Sequence, residues 1–190
     1  GGLGARADAG LPHAPRDEGL TMSGVPLEIE RKVLIDEPDL AVLEAAASSV
    51  SEIVQTYLVK DGWDAERVRR RQVRDASGEH LQLTYTRKRG RGHGVVEEDE
   101  REIDEDTYLG LLARTDTDRV PIVKTRYVVP WGGLVLEIDR FASPRSLWLL
   151  EVELDDADRL HDELDLPEWV PVVREVTGDP AYTNAALARP

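Results

Sequence analysis

The segment Leu27 to Lys32, LEIERK, places three ionisable side chains, Glu28, Glu30 and Lys32, at alternate positions. Successive side chains of a β-strand point to opposite faces, so these three would share one face while Ile29 lies on the other. Two carboxylates beside an ammonium group can hold a hard cation together with an anion. A two-faced strand with a solvated polar face has the same pattern. This segment alone therefore does not distinguish a binding site from a solvated face.

The alternation recurs in nearly every predicted strand. Four carboxylate pairs at positions i and i+2 are predicted to share a face: Glu28 and Glu30, Glu98 and Glu100, Glu137 and Asp139, and Glu151 and Glu153. The cationic set on such faces is Lys32, Arg67, Arg69, Lys88, Lys124 and Arg126. Like charges at this spacing destabilise a sheet, and a bound divalent cation is the commonest reason for them. Because arginine and lysine bind phosphate oxygens, the pattern predicts a site for a metal and a polyanion.

Two layouts of the sheet accommodate these charged faces. An open sheet would turn its charged face to water and pack its apolar face on helices. Alternatively, the sheet closes into a barrel, with the charged residues inside and the apolar residues outward under helices. Repeated carboxylate pairs are unusual on solvated strands, so they favour the second layout.

The chain reads as one folded domain over 25–190, preceded by a disordered Gly-, Ala- and Pro-rich extension over 1–24. Pro38 marks a helix start, Asp104 or Asp106 can cap another helix, and glycines at 90–94 indicate a flexible loop. Strands are predicted at 26–35, 52–59, 66–73, 79–88, 96–103, 120–130, 134–141 and 147–154, and helices at 36–50, 104–115, 155–164 and 179–188. Such a chain is mainly β, of the α+β class, with an antiparallel sheet or barrel and flanking helices.

The amino-acid composition excludes several kinds of site and partner. The chain has 190 residues, no cysteine, four scattered histidines and a formal net charge of −14. These features exclude disulfides and thiolate sites, and they argue against a histidine zinc site and a nucleic-acid partner. Any metal would be held by carboxylates, which favour Mg²⁺, Mn²⁺ or Ca²⁺. The sequence lacks an apolar run of the ~20 residues that span a membrane and a secretory leader, so a cytoplasmic protein without a membrane partner is expected.

Eight segments, in order, resemble the CYTH domain, also called the triphosphate tunnel metalloenzyme family. LEIERK resembles the E-x-E-x-K signature that opens this domain. The other segments are QTYL, ERVRRR, LTYTRK, VKTRY, LEIDRF, LEVEL and REVTGDPAYTNAALARP, and together they cover residues 26–190. The resemblance implies a closed eight-stranded antiparallel β-barrel, a tunnel whose lumen carries acidic and basic side chains.

The resemblance also implies roles for individual residues. The metal, Mg²⁺ or Mn²⁺, would be held by Glu28, Glu30, Glu151 and Glu153, with Glu137 and Asp139 as ligands or as supports of ligands. The triphosphate would be bound by Lys32, Arg67, Arg69, Lys88, Lys124 and Arg126. Tyr57 matches a family tyrosine that handles protons together with a lysine, and Lys32 and Lys124 are the candidate lysines. Tyr57 could instead pack in the wall of the barrel. Lys124 could instead be a cation on the surface.

Three positions depart from the family pattern. Val96 stands where many members have arginine before the Glu98–Glu100 pair, and Thr56 replaces a glycine. Thr86 stands at a position that is often lysine, with Lys88 two residues further on the same face. The resemblance therefore does not fix the phosphate contacts on this side of the implied barrel.

The reaction predicted first is the metal-dependent hydrolysis of a triphosphate, with inorganic tripolyphosphate as substrate. A class IV adenylate cyclase or a nucleoside or thiamine triphosphatase is the alternative, because the same site could direct a ribose hydroxyl instead of water. A non-catalytic polyphosphate or nucleotide binder is a further alternative, as is an acidic β-domain without a ligand. A homodimer is left open.

Overall fold

The structure, a computed structural model, describes residues 21–22, 25–92, 95–154, 159–160 and 162–190. Its strands are β1 Thr21–Met22, β2 Val25–Glu28, β3 Glu30–Ile35, β4 Ser49–Tyr57, β5 Ala65–Asp75, β6 Gly78–Gly92, β7 Val95–Glu102, β8 Ile122–Trp131, β9 Leu134–Ser143, β10 Leu147–Glu153 and β11 Val172–Glu175. They form one antiparallel sheet in the order β1-β2-β7-β6-β5-β4-β8-β9-β10-β3-β11. The mainly β prediction is confirmed.

The hydrogen bonds do not close this sheet into a ring, so the closed eight-stranded barrel is not confirmed. The predicted first strand divides at Ile29: β2 pairs with β7, whereas β3 pairs with β10. The other edge of β3 pairs with β11, a short strand that was not predicted, so neither edge of β3 pairs with β7. The chain itself joins β2 to β3 and thereby connects the β7 side of the sheet to the β10 side.

The strand register places the charged residues on one face of the sheet. Directly paired residues point the same way, and the register pairs Glu151 with both Lys32 and Glu137, and Asp139 with Arg126. On β5 to β7, the register continues this face through Arg69, Thr84, Lys88 and Glu98. We call it the charged face; it carries Lys32, Arg67, Arg69, Lys88, Glu98, Glu100, Lys124, Arg126, Glu137, Asp139 and Glu151.

Much of the charged face is buried. Lys124 and Asp139 are 2% and 0% exposed, and Arg67, Arg126 and Glu151 are also buried. The opposite face is apolar and forms the main core with helix α1 (Leu40–Ala46). The helix contributes Leu43, and the sheet contributes Val33, Ile35, Tyr127, Val129, Leu136, Ile138, Trp148, Leu150 and Val152. This burial disfavours a sheet whose whole charged side is open to water.

The helices are α1 Leu40–Ala46, α2 Glu105–Leu112 and α3 Asn184–Leu187. Asp39 and Asp104 accept hydrogen bonds from backbone N–H groups at the starts of α1 and α2, so Asp104 is the cap of the second helix. The first helix is shorter than predicted because Ser49 and Val50 belong to β4. No helix in the described part of the chain is long and apolar enough to cross a membrane.

Some predicted segments lie partly outside the residues that the structure describes. The predicted helix at 155–164 lies partly outside the described residues, as do positions 93–94 of the predicted glycine loop. Gly90 and Gly92 lie within β6, which is longer than predicted. Most of the predicted disordered extension also lies outside the described residues, except that Thr21 and Met22 form β1 against β2.

The C-terminal segment covers one end of the charged face. There the alternate positions of the strands become apolar, with Tyr57, Phe141 and Leu149 packed against Val176 and Leu187. The Arg119 guanidinium bonds the Ala185 carbonyl, and the Val120 N–H donates to the Ala188 carbonyl over 2.8 Å. The segment is thereby fixed to the rest of the domain.

Glu66 is a buried carboxylate on the face opposite the charged face. It is 1% exposed and accepts hydrogen bonds from Tyr85 Oη at 2.6 Å, from Arg114 Nη2 at 3.1 Å and from the Asp61 N–H. Burial would raise the pKa of Glu66, but the Tyr85, Asp61 and Arg114 donors outweigh it and lower this pKa. A carboxylate with a lowered folded-state pKa stabilises the protein above its unfolded-state pKa, and this contribution is lost as the pH falls through the folded-state pKa.

We therefore expect Glu66→Gln to lower the free energy of unfolding at pH 7 by about 1–3 kcal/mol. The difference from the wild type should shrink as the pH falls below about 4. Urea denaturation across this pH range checks both points, with the exposed Glu79→Gln as control. A difference that stays constant with pH would contradict the role of the ionised carboxylate.

Candidate functional site

Arg126 is the centre of the best-connected part of the charged face. Its Nε and Nη2 donate to the two Asp139 oxygens at 2.7 and 2.6 Å, and Nη2 also donates to Glu151 at 2.8 Å. Its Nη1 contacts Glu137. Burial alone would lower the pKa of Arg126, but Asp139, Glu137 and Glu151 raise it above its ordinary value. The guanidinium therefore stays charged and links strands β8, β9 and β10.

Lys32 extends this network to β3. Its Nζ lies 2.8 Å from Glu151 and 3.3 Å from Glu30. Burial would lower the pKa of Lys32, but the two carboxylates raise it above its ordinary value. Conversely, burial would raise the pKa of Glu151, but Lys32, Lys124 and Arg126 hold it well below its ordinary value. Glu151 is thus an ionised carboxylate among three cations.

Lys124 has a different environment. Its Nζ lies 2.5 Å from Asp139 and 4.9 Å from the centre of the Phe141 ring, at the boundary between charged and apolar parts of the face. Burial and the neighbouring Arg126 lower the pKa of Lys124 to about 8, although Asp139 and Glu151 act in the opposite direction. Lys124 is therefore a buried ammonium group that can exchange a proton near neutral pH.

The second half of the charged face lies on β5, β6 and β7. Arg67 Nη2 lies 3.4 Å from Glu98, which Lys88 also contacts. Arg69 Nη1 lies 3.7 Å from Glu100, and the Arg69 side chain is 12% exposed. Burial and the charge of Arg67 lower the pKa of Arg69 to about 10. Arginines crowd this region, and the carboxylate that compensates Arg69, that of Glu100, lies at the long end of the salt-bridge range.

Tyr57 lies at the apolar end of the charged face. Its hydroxyl accepts a hydrogen bond from Gln55 Nε2 at 3.2 Å, and its ring belongs to the cluster that includes Phe141 and Leu187. The ring therefore packs in an apolar cluster, while the hydroxyl is held by a buried amide. The two predicted roles, packing and proton handling, are compatible in this position.

The acidic residues predicted as metal ligands are divided between two environments. Asp139 and Glu151 are buried and paired with cations, whereas Glu30 and Glu137 have side chains that are 46% and 34% exposed. Glu153 pairs with Glu30 in the β10–β3 register. Among the described residues, no three acidic or histidine side chains converge on one point. The side chain of Glu28 lies outside the described part of the structure.

The donor chemistry of this end nevertheless fits a hard divalent cation. Carboxylates from β3, β9 and β10 lie around Lys32 and Arg126 at one end of the face, and oxygen donors are what Mg²⁺ and Mn²⁺ prefer. Glu30 and Glu137 are the members of this set with the most exposed side chains. A cation could approach them from solvent.

The site predicted from the sequence leaves out several polar residues of this face, among them Gln55, Ser51 and Arg71. Arg71 Nε donates to Ser51 Oγ at 3.1 Å, and Gln55 and Ser51 are both 0% exposed. The signal for Arg71 was present, because it continues the alternation of Arg67 and Arg69. Gln55 and Ser51 carry no charge, so a pattern of ionised pairs does not include them.

Comparisons with known proteins show what the chain is similar to. The chain is 36% identical over 69 residues to an inorganic triphosphatase of Acetivibrio thermocellus. The match covers 36% of this chain and 41% of that relative, less than half its length. A crystal structure of the inorganic triphosphatase NE1496 matches 85% of this chain and 93% of its own, with 30% identity and a TM-score of 0.50.

A further structure shows a likeness of fold alone. It is that of a putative adenylyl cyclase from Hippeastrum described as having a dominant triphosphatase activity, with 21% identity and a TM-score of 0.50. The match covers 70% of this chain and 81% of that one. The family model of the CYTH domain matches residues 26–168. The buried charged face and these matches lead to one conclusion: the chain belongs to the CYTH domain family.

Proposed function

We propose that the protein is a metal-dependent triphosphatase that hydrolyses inorganic tripolyphosphate on its charged face. The observation that carries this proposal is the state of Arg69. Its guanidinium is largely buried beside Arg67, its nearest carboxylate is 3.7 Å away, and its Nε has no hydrogen-bond partner among the described residues. A buried cation without full compensation is costly, and a polyanion would compensate it.

The character of the face supports a phosphate chain over other anions. Arginine guanidinium groups bind phosphate oxygens through paired hydrogen bonds. Arg67, Arg69 and Arg71 follow one another along β5 at the spacing of alternate residues. Lys124 and Arg126 lie on β8 and point to the same side of the sheet, with only β4 between the two strands. An elongated anion with several charged groups matches this array of two cationic rows. Two relatives described as inorganic triphosphatases support the same substrate.

We propose further that the face lines a tunnel. β2 and β3, which are separated by Ile29 alone, are the second strand from either end of the sheet, with only the short strands β1 and β11 beyond them. The burial of Lys124, Arg126, Asp139 and Glu151 supports an enclosed lumen. Enclosure excludes water from most of the face, which strengthens its electrostatic interactions with a substrate.

The acidic end would hold Mg²⁺ or Mn²⁺ through Glu28, Glu30, Glu137, Asp139, Glu151 and Glu153. When bound, such a cation neutralises phosphate charge and polarises the P–O bond. Lys32 lies between Glu30 and Glu151, so in this proposal it positions these carboxylates and contacts a phosphate oxygen. Arg67, Arg69, Lys88 and Arg126 bind the other oxygens, and Lys124 and Tyr57 move protons at Nζ and Oη.

The test compares Arg69 with its neighbour Arg70, which is exposed and points to the opposite face. We expect Arg69→Gln to weaken tripolyphosphate binding by roughly 10- to 100-fold, because it removes charge-assisted hydrogen bonds worth about 1.5–3 kcal/mol. Arg70→Gln should leave binding unchanged. Isothermal titration calorimetry with tripolyphosphate measures both. Equal affinities for the wild type and Arg69→Gln would contradict the proposed anion site.

A further inference from the structure

Three neighbouring residues of the charged face have polar atoms whose hydrogen-bonding capacity is unused. Gln55, Arg69 and Thr84 stand directly opposite one another on β4, β5 and β6. Gln55 Oε1, Arg69 Nε and Thr84 Oγ1 are all buried, and none has a hydrogen-bond partner among the described residues. We call these residues the polar row. Opposite residues in antiparallel strands have Cβ atoms about 5 Å apart, so the three side chains can reach one small molecule.

The chemistry of the polar row selects water over phosphate. The carboxamide oxygen of Gln55 can only accept a hydrogen bond, Arg69 Nε can only donate one, and the Thr84 hydroxyl can do both. A deprotonated phosphate oxygen can only accept, so it cannot satisfy Gln55 Oε1. A water molecule both donates and accepts, and a buried water typically makes two to four hydrogen bonds. Water therefore satisfies all three atoms.

The orientation of the Gln55 amide is held by its neighbour. Gln55 is 0% exposed, and its Nε2 donates to the Tyr57 hydroxyl at 3.2 Å. With the amide nitrogen engaged there, the oxygen remains for a different partner. A side chain fixed in this way can orient a water without rearrangement, which is the condition for an efficient attack.

We propose that the polar row binds the water that attacks the triphosphate, with Gln55 as the residue that positions it. This inference rests on the proposed triphosphatase function. The water oxygen forms a bond to the terminal phosphorus, and the bridging P–O bond breaks with its electron pair passing to diphosphate. The proton lost by the water ends on the diphosphate oxygen. Gln55 directs a lone pair of the water and takes no proton itself.

Two substitutions test the proposal in steady-state hydrolysis of tripolyphosphate with Mg²⁺. Gln55→Leu should lower kcat by roughly 100-fold, because a misplaced reactant can cost that much, and should leave KM within about threefold of the wild-type value, because substrate binding and water positioning are separate interactions. Thr84→Val should lower kcat by about 10-fold, again with little change in KM. Gln72→Leu is the matched control, since Gln72 alternates with Arg71 and lies on the opposite face of β5.

A crystal structure of the wild type with the slowly hydrolysed analogue imidotriphosphate provides a second readout, which does not require the variants to fold. A water within hydrogen-bonding distance of both Gln55 Oε1 and Arg69 Nε would support the proposal. A phosphate oxygen in that position would overturn it. A rise in KM with unchanged kcat in Gln55→Leu would also overturn it, because Gln55 would then bind substrate instead of water.

Failure of this inference can be distinguished from failure of the proposed function. Wild-type hydrolysis together with unchanged kcat in Gln55→Leu and Thr84→Val would overturn the role of the polar row alone. Absence of hydrolysis by the wild type would overturn the triphosphatase proposal, and the attacking water with it.

Discussion

Replacing Arg126 with methionine is expected to lower the free energy of unfolding by about 3–5 kcal/mol, the cost of leaving a buried charge without its partner. Asp139, which is 0% exposed, would lose two of its three short contacts and keep only Lys124. Glu137 and Glu151 would each lose a guanidinium contact as well. Urea denaturation followed by tryptophan fluorescence measures the change.

Two further variants show whether the loss comes from the uncompensated charge. Arg74→Met removes an exposed arginine from β5 and should change stability by less than about 0.5 kcal/mol. Adding Asp139→Asn to Arg126→Met should restore part of the lost stability, because the orphaned carboxylate is then neutral. If Arg126→Met were as stable as Arg74→Met, the contacts of Arg126 with the carboxylates of β9 and β10 would not hold these strands together.

Replacing Lys124 with methionine is expected to lower kcat for tripolyphosphate by roughly 10²–10⁴-fold, the usual contribution of a proton-transferring group. Lys124 is buried at the boundary of the charged and apolar parts of the face, and its pKa of about 8 allows proton exchange near neutral pH. The fold should survive the substitution, because Asp139 keeps its bonds to Arg126. Steady-state kinetics and thermal unfolding of the same samples separate the two effects.

Lys60→Met is the control for this substitution, since Lys60 is exposed in the segment after β4. It should match the wild type in kcat and melting temperature. A kcat for Lys124→Met equal to that of Lys60→Met would remove Lys124 from the proposed chemistry. It would leave the anion site around Arg69 intact, because the two residues lie on different strands of the face.

The sequence alone predicted which residues share a face, because alternation is a local property of a strand. Glu151 and Lys32, and Asp139 and Arg126, are now seen paired across strands. The burial of this face was also predictable, since repeated carboxylate pairs are unfavourable on a solvated sheet. Both arguments need only the spacing of residues along one strand.

Partners across the sheet could not be predicted in the same way, because they depend on register between distant segments. The division of the first strand at Ile29, the added strand β11 and the apolar closure by Val176 and Leu187 are all of this kind. The pairing of Asp139 and Glu151 with cations is another case. The polar row was missed because Gln55 and Thr84 are uncharged, and their role depends on being opposite Arg69.

We propose above all that the charged face hydrolyses a triphosphate with a divalent metal. The most direct measurement is phosphate release from tripolyphosphate, ATP and thiamine triphosphate with Mg²⁺ or Mn²⁺, with cyclic AMP assayed in the same ATP samples. Glu30→Gln removes one proposed metal ligand, and Glu44→Gln on the exposed side of α1 is the control. We expect metal-dependent release from tripolyphosphate that is lost in Glu30→Gln and kept in Glu44→Gln. Cyclic AMP formation without comparable phosphate release, or no turnover of any substrate, would contradict the proposal.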